Sequence, residues 1–348
     1  MARFLLRKLL YAALVMLGVM VLVFVLFQGL GDPARLVVGQ SADPKTQANI
    51  RKELYLDQPK WKQFLFYLND VSPIALHTKE GIAEKGLKGV FIGGETKLAL
   101  KQPYLRRSYQ SRRPVADLLL EALPGTLVLS FAAILFATVF GIALGMLAAV
   151  KKYRWPDYLI QFGSITGISA PSFFTGIIIA FLFGFVWHNF TGLSMTGSLY
   201  GIDPVHGKFI QWKNLILPAI TLGIRPLAII TQLTRSSMLD VLSQDYIRTA
   251  RAKGLSSGRI LFRHALPNAL NPVITAITGW FAELLAGAFF VEYIFGWRGV
   301  GRITVEALEK LDFPVLMGSV LLTAFFFTLM NVFADLLYRI TDPRVKIH

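Results

Sequence analysis

The sequence predicts an all-α polytopic membrane protein with six transmembrane helices and one large extracytoplasmic loop between the first and second helices. Two observations carry this prediction. The chain of 348 residues is 54% hydrophobic and 16% charged, with a mean hydropathy of +0.53, which is too apolar for a soluble domain of this length. Its apolar residues also form long runs that can cross roughly 30 Å of hydrocarbon as helices.

Six runs are long enough to span a membrane. Four carry no charge, whereas the fourth contains Arg225 and the fifth contains Glu283. The runs are 9–31, 122–150, 158–190, 215–236, 272–295 and 314–334. A charge at mid-membrane costs roughly 2.5 to 3.5 kcal/mol, so we expect both side chains to face protein or water. They either form a buried ion pair that fixes helix packing or line a pore that meets the charged ends of a substrate.

The first run follows three basic residues, as a secretory signal would. Its apolar core is longer than the roughly 7 to 15 residues of a signal peptide, and Gln28 to Pro33 is a poor cleavage site. We therefore expect an uncleaved helix.

Basic residues alternate between the short connecting segments. Fifteen Lys and Arg residues lie in the N-terminus, the 151–157 loop, the 235–271 loop and the C-terminus, against five in the intervening segments. By the positive-inside rule, both termini and the 235–271 loop are cytoplasmic. The net charge of +15 therefore reflects membrane topology rather than nucleic-acid binding.

This topology divides the chain into three parts. They are an N-terminal transmembrane helix at 1–31, an extracytoplasmic loop domain at 32–121, and a five-helix core at 122–348 with a cytoplasmic loop at 236–271. We expect the outer loop to form a small ordered cap on the extracytoplasmic face.

Local patterns predict three elements within the outer loop. Residues 46–56 and 60–71 favour helices, separated by Asp57, Gln58 and Pro59 as a helix start. Residues 88–101 favour strands, with Gly93 and Gly94 at a hairpin turn.

The most informative segment is the polar run from Asp245 to Gly254 in the cytoplasmic loop. Ala250 and Gly254 stand one helical turn apart, so they predict a face of small residues that a partner protein can approach closely. Gly254 is suited to end the helix in the left-handed conformation. After a turn at 255–258, we expect a second short helix at 259–265, with Pro267 turning the preceding residues toward extended geometry.

Catalytic and metal-binding patterns are absent from the sequence. It has no His-Glu-x-x-His, no Gly-x-Ser-x-Gly and no Walker-type phosphate loop, it contains no cysteine, and its five histidines show no ligand spacing. Ser169 and Ser172 lie in a span without a histidine placed to activate them. We therefore expect no catalytic residue, cofactor or metal. Gly163 and Gly167 are spaced for close helix packing, and Pro171 predicts a kink.

The cytoplasmic run resembles the signature loop of binding-protein-dependent ABC transporter permeases. Ala250, Gly254, Leu266 and Pro267 match that loop in register, whereas Arg248, Thr249 and His264 depart from the general pattern and suit its dipeptide, oligopeptide and nickel branch. Further similarity to this branch lies at 31–33, 113–115, 291–295, 299–302, 312–315 and 342–344. The segment 72–104 is longer than expected for the branch.

The resemblance implies a permease subunit of an ATP-driven importer in the cytoplasmic (inner) membrane of a prokaryote. It would not hydrolyse ATP itself, because that activity would belong to two separate ATP-binding subunits. A second homologous permease and an extracytoplasmic substrate-binding protein would complete the system. The residues expected to couple the chain to the ATP-binding subunits are Arg248, Thr249, Ala250, Arg251, Lys253, Gly254, Leu266 and Pro267, and the candidate pore residues are Arg225 and Glu283.

Several alternatives stay open at this level. Peptides are the preferred substrate, because nickel would favour histidines or carboxylates in the pore and Glu283 is the one carboxylate within a span. A secondary transporter would need internal repeats and an ion site, which the sequence does not display. A scaffold subunit without a transport role is a further alternative, which adjacent genes for an ATPase, a second permease and a binding protein would argue against.

Overall fold

The computed structural model describes residues 2–29, 51, 55–203 and 207–341. Its helices are α1 Ala2–Gly29, α2 Lys60–Val71, α3 Lys79–Lys85, α4 Val115–Val150, α5 Trp155–Ser169, α6 Ser172–Phe181, α7 His188–Thr191, α8 Lys213–Leu242, α9 Asp245–Ala252, α10 Ser257–Arg259, α11 Leu266–Ala269, α12 Asn271–Gly287, α13 Phe289–Ile294, α14 Val300–Glu309 and α15 Phe313–Thr341. Turns of π-helix follow α6 at Leu182–Val186 and α10 at Ile260–Ala265. The strands are β1 Ile74–Thr78, β2 Gly89–Gly93, β3 Thr96–Lys101, β4 Tyr200–Asp203 and β5 Gly207–Ile210.

The chain divides into two compact units. The first unit comprises residues 1–122 and 303–325, and the second comprises 123–302 and 326–348. The boundary between them falls inside α4. The division predicted from topology, at residues 31 and 121, describes which side of the membrane each segment occupies and stays a prediction.

In the first unit, α2 packs against α1. The rings of Phe24 and Phe64 meet edge to face with centroids 5.2 Å apart, and Tyr67, Val71 and Leu321 form the buried core beside them. Helix α2 occupies the predicted residues, because Pro59 supplies a fixed φ of −55° just before the first turn and needs no N–H there. The predicted helix at 46–56 lies largely outside the described residues.

The outer segment also contains a three-stranded antiparallel sheet with the order β1-β3-β2. The predicted hairpin is confirmed: β2 and β3 pair from Gly89 with Lys101 to Gly93 with Lys97, and Gly93 has a φ of 127°, a conformation that favours glycine. The sequence reasoning missed β1 and α3. The chain is mostly helical, but the all-α prediction therefore fails for this segment, where paired strands depend on long-range contacts.

The two faces of this sheet differ sharply. Ala75, His77, Ala99 and Lys101 are buried on one face. The other face carries six aliphatic side chains that are each at least half exposed: Ile74, Leu76, Val90, Ile92, Leu98 and Leu100. Alternation along the strands produces this separation, since successive side chains point to opposite faces.

Three helices in the described residues are long and apolar enough to cross a membrane: Val115–Val150, Lys213–Leu242 and Phe313–Asp335. The pair formed by α5 and by α6 with its π-helical extension makes a fourth span if it counts as one broken helix. The first predicted span appears as a shorter apolar stretch, Leu10–Leu26, and the fifth is divided at Ala288 into α12 and α13. The structure thus contains three or four long apolar spans where six were predicted.

The predicted kink at Pro171 is a break. The axes of α5 and of α6 with its extension differ by 111°, because Pro171 precedes α6 in extended geometry and has no N–H to continue α5. Both segments pack on α8. A Cβ on Gly167 would lie 3.1 Å from Ile224, so the expected close packing is found there, whereas Gly163 has no neighbour within 4 Å of that position.

Candidate functional site

Helix α9, the predicted cytoplasmic contact helix, rests on a buried apolar cluster. Its residues Ile247 and Ala250 are 0% and 7% exposed. The cluster brings together the C-terminal end of α4, the end of α8 and the residues after α9, and its members are Ala149, Met238, Ile247, Ala250, Ile260, Ala265 and Ala269. A movement of α9 is therefore connected through packed side chains to the ends of two long helices.

The polar residues of α9 and its C-terminal turn face solvent. Arg248, Thr249, Arg251, Lys253 and Gly254 are all exposed. Arg248 lies 3.5 Å from Asp245 in an exposed i,i+3 pair, which is weak in water.

Ala250 does not share this exposed face. Its methyl group packs inside the chain, so the small side chain brings α9 close to its own support rather than offering a surface to a partner. The expectation that Ala250 and Gly254 form one contact face is therefore not matched by the described conformation.

Gly254 ends the helix as predicted. Its φ is 76°, and Leu255 N donates to Ala250 O at 3.3 Å across the turn. A Cβ at Gly254 would have no neighbour within 4 Å, so the constraint there is the backbone conformation rather than crowding.

The segment after this turn differs from the prediction. Ala265 and Leu266 are helical, not extended, and Pro267 sits in the first turn of α11. A proline is tolerated there because the first-turn N–H groups have no helical partner, and the wider π-helical turn at Ile260–Ala265 precedes it. Leu266 packs against the apolar cluster, whereas Pro267 is exposed.

Arg225 and Glu283 line one cavity in the second unit. The cavity lies among α5, α6, α8 and α12 and has a volume of about 80 Å³. The Arg225 guanidinium lies over the ring of Trp280, 5.5 Å from its centroid. Among the described residues neither Arg225 nor Glu283 has an ion-pair partner, so the alternative of a mutual buried salt bridge is not realised in this conformation.

Sequence reasoning missed a buried ion pair between Asp157 and Arg235. Arg235 Nε and Nη2 donate to the two carboxylate oxygens of Asp157 at 2.6 and 2.8 Å. Tyr153 N and Gln161 Nε2 also donate to this carboxylate, both at 2.9 Å. The pair joins the start of α5 to α8 across 78 residues of sequence, and an acidic residue in an otherwise basic cytoplasmic loop was the available signal.

The motif residues at 291–302 form a second polar centre. Glu292 is fully buried and accepts hydrogen bonds from Thr126 Oγ1 at 2.7 Å and from Arg302 N at 3.1 Å. Its carboxylate occupies the space that a Cβ on Gly299 would need, 2.2 Å away. The glycine and glutamate in this motif therefore serve tight packing within the chain.

A third charged group lies in the outer segment around Asp70. Its carboxylate pairs with Lys85 and lies 3.7 Å from Arg106 Nε, and its backbone oxygen accepts from Lys101 Nζ. Burial lowers the pKa of Lys101 to about 8. Burial also lowers the pKa of His77, to which Lys101 and Lys85 add by charge repulsion.

No group of three or more metal-ligating side chains occurs in the described parts of the chain.

Two family models cover the chain between them. The model described as binding-protein-dependent transport system inner membrane component matches residues 141–347, and the model of the N-terminal part of such membrane components matches residues 1–130. The first match contains the cavity, α9 and the turn at Gly254.

Curated relatives match along the full length. The chain is 37% identical over 369 residues to the dipeptide transport system permease protein DppB of Escherichia coli K12, covering 99% of both chains. It is 34% identical over 362 residues to DppB of Alkalihalophilus pseudofirmus, covering 99% of this chain and 100% of the relative. It is 36% identical over 347 residues to the glutathione transport system permease protein GsiC of Salmonella typhimurium, covering 99% of both.

The fold also has a solved counterpart. A chain of the inward-facing MetNI methionine ABC transporter superposes with a TM-score of 0.52 at 17% identity, over 65% of this chain and 97% of that one. This similarity concerns the fold alone. Since the family models and the full-length relatives agree, the chain belongs to the family of binding-protein-dependent transport system inner membrane components, the permease subunits of ABC importers.

Proposed function

We propose that this chain is one permease subunit of an ATP-driven peptide importer. In this proposal it spans the membrane with six helices and keeps both termini in the cytoplasm. It pairs with a second, similar permease and with two ATP-binding subunits, and an extracytoplasmic binding protein delivers the substrate. As a member of its family the chain works with other subunits of a transport system, and this fuller composition is what we propose.

The observation that carries the proposal is the exposed polar surface of α9 above its apolar support. Arg248, Arg251 and Lys253 offer charged contacts, while Ile247 and Ala250 hold the helix on the ends of α4 and α8. We propose that an ATP-binding subunit grips this surface. When the ATP-binding subunits close, the packed cluster would transmit the displacement to the long helices and exchange inward-open for outward-open packing.

Peptides are the substrate class that the chain supports best. Its full-length relatives are named as dipeptide and glutathione permeases, and its cavity presents both a cation and a carboxylate. Nickel import is the alternative. It would require a set of nitrogen or oxygen ligands, and within the described residues Glu283 stands without further metal-ligating neighbours.

The test is transport by the assembled system. The importer should be reconstituted in vesicles with its binding protein, and uptake of a labelled dipeptide and of Ni²⁺ should be measured with and without ATP. We expect ATP-dependent dipeptide uptake that is lost when this chain is omitted. Uptake of Ni²⁺ in place of the dipeptide would favour the alternative, and uptake that is driven by an ion gradient without ATP would overturn the proposal.

A further inference from the structure

The cavity in the second unit is lined by polar groups from three directions. Ser172 and Thr175 come from α6, Thr221 and Arg225 from α8, and Trp280 and Glu283 from α12. Thr221 and Arg225 are spaced i,i+4, and Trp280 and Glu283 are spaced i,i+3, so each pair shares one face of its helix. Two helices therefore turn a charged residue and a neighbouring group toward the same space.

The charges in this cavity are not used by the chain itself. Neither Arg225 nor Glu283 has an ion-pair partner among the described residues. Trp280 lies below the guanidinium, an arrangement that leaves the N–H groups at the guanidinium edge free to donate in the plane of the group. The arrangement holds a cation in place without neutralising it.

A third group in the cavity wall is unpartnered and buried. Thr221 is 2% exposed, and its Oγ1 has no hydrogen-bond partner among the described residues. Buried hydroxyl groups are nearly always hydrogen-bonded, because leaving one unpaired costs free energy. Since Thr221 lies one turn from Arg225, its hydroxyl is placed to bond a polar group that occupies the cavity.

The chemistry of the cavity selects a zwitterion. An arginine fork binds a carboxylate with two parallel hydrogen bonds, and a carboxylate accepts from an ammonium group. The cavity of about 80 Å³ admits only a small ligand, so both charges of that ligand must lie close together. A short peptide with free termini meets these conditions, and a long chain or a bare metal ion does not.

We propose that this cavity binds the charged ends of a short peptide, with the α-carboxylate at Arg225, the α-ammonium at Glu283 and Thr221 bonding the polar backbone between them. The inference rests on the proposed function and adds to it a substrate site in the permease itself. The permease then checks both peptide termini after the binding protein has released its ligand.

Peptides with one blocked end test this assignment. Binding of dialanine, N-acetyl-dialanine and dialanine amide to the purified full-length chain in lipid nanodiscs should be measured by calorimetry. We expect each blocked form to bind at least about tenfold more weakly than dialanine, a loss of at least about 1.4 kcal/mol. Equal binding of all three peptides, or no binding of dialanine, would overturn the assignment.

Two variants make the test specific to each terminus. Arg225→Gln should lose discrimination against the amide while it still rejects the acetylated peptide. Glu283→Gln should show the reverse. Arg154→Gln, in the loop between α4 and α5, is the matched control and should keep the preference of the wild-type chain for dialanine. If both cavity variants weaken binding of all three peptides equally, the residues hold the fold rather than the peptide termini.

Uptake by the assembled importer separates this inference from the proposed function. If the wild-type importer transports dialanine and the two cavity variants transport it and both blocked peptides at the same rates, the importer function stands and the cavity assignment fails. If the wild-type system shows no ATP-dependent uptake of any peptide, the proposed function fails whatever the nanodisc measurement finds.

Discussion

Arg225 and Arg235 lie ten residues apart on the same helix, α8, and the chain uses them in opposite ways. Arg235 is mostly buried and donates two hydrogen bonds to Asp157, which also accepts from Tyr153 N and Gln161 Nε2. Arg225 is exposed to a cavity, lies over Trp280 and has no ion-pair partner among the described residues. A charge that the fold already satisfies holds the fold together, whereas a charge left open is available to a ligand.

The energetic consequences of the two arrangements differ. Removing one partner of a buried pair leaves the other charge buried and uncompensated, which costs about 3 to 5 kcal/mol. Removing a charge that faces a cavity leaves nothing uncompensated. The contrast between the two arginines can therefore be measured by comparing folding with transport.

The largest expected effect is at the buried pair. Asp157→Asn should lower the free energy of unfolding by about 3 kcal/mol, because Arg235 then keeps its charge without a partner. Denaturant titration of the purified protein in detergent measures this. The double variant Asp157→Asn with Arg235→Met should recover part of the loss, since both charges are gone; strictly additive losses would contradict the assignment of a coupled pair.

The next effect concerns the cytoplasmic end of α8, where Met238 supports α9. Gly254→Asp should abolish ATP-dependent transport while the protein stays inserted and abundant, because Gly254 lies on the exposed surface without close neighbours. The backbone there is left-handed, so the substitution costs roughly 1 kcal/mol of stability.

Gly254→Asn is the matched control for that variant. It has the same shape and tolerates the same backbone conformation but adds no charge, so it should retain more transport. Uptake, ATP hydrolysis and the amount of protein in the membrane should be measured together. Loss of the aspartate variant from the membrane would assign Gly254 to folding instead of coupling.

The effect on stability at the cavity should be smaller. Arg225→Met should cost up to about 1 kcal/mol, the value of its contact with Trp280, and Glu283→Gln should change the free energy of unfolding by less than about 0.5 kcal/mol. Because the two residues form no ion pair here, the double variant should show the sum of the single effects. A double variant more stable than either single variant would restore the buried-pair alternative.

The smallest effect is a pH dependence in the outer segment. Burial lowers the pKa of Lys101 from 10.5 to about 8, so the folded segment binds fewer protons than the unfolded one between these values. Its contribution to stability should therefore rise as the pH increases from about 8 toward 10.5. Limited proteolysis of the outer segment across this range measures the change, and Lys101→Met should flatten it.

Patterns close in sequence were enough for much of this molecule. Composition established a membrane protein, and the helix at 60–71, the hairpin at Gly93 and the helix end at Gly254 followed from capping, turn and alternation rules. These features depend on backbone preferences of a few adjacent residues. The spacing of the cytoplasmic run likewise pointed to the family before the fold was known.

Other features depended on contacts between distant residues. A proline at 171 announces a disturbance in a helix, but the 111° break depends on how α5 and α6 each pack against α8. Ala250 could have faced a partner or the chain's own cluster, and burial decided for the cluster. Local propensity cannot choose between such alternatives, since they differ in long-range packing and not in backbone preference.

The charged residues within the spans show the same division most clearly. Hydropathy identified Arg225 and Glu283 as costly and therefore buried in protein or exposed to water. The tertiary structure placed them in one cavity without pairing them, and it gave Arg235 a partner 78 residues away. Local sequence sets the cost of a charge in a membrane, but the position of every other side chain determines which group offsets that cost.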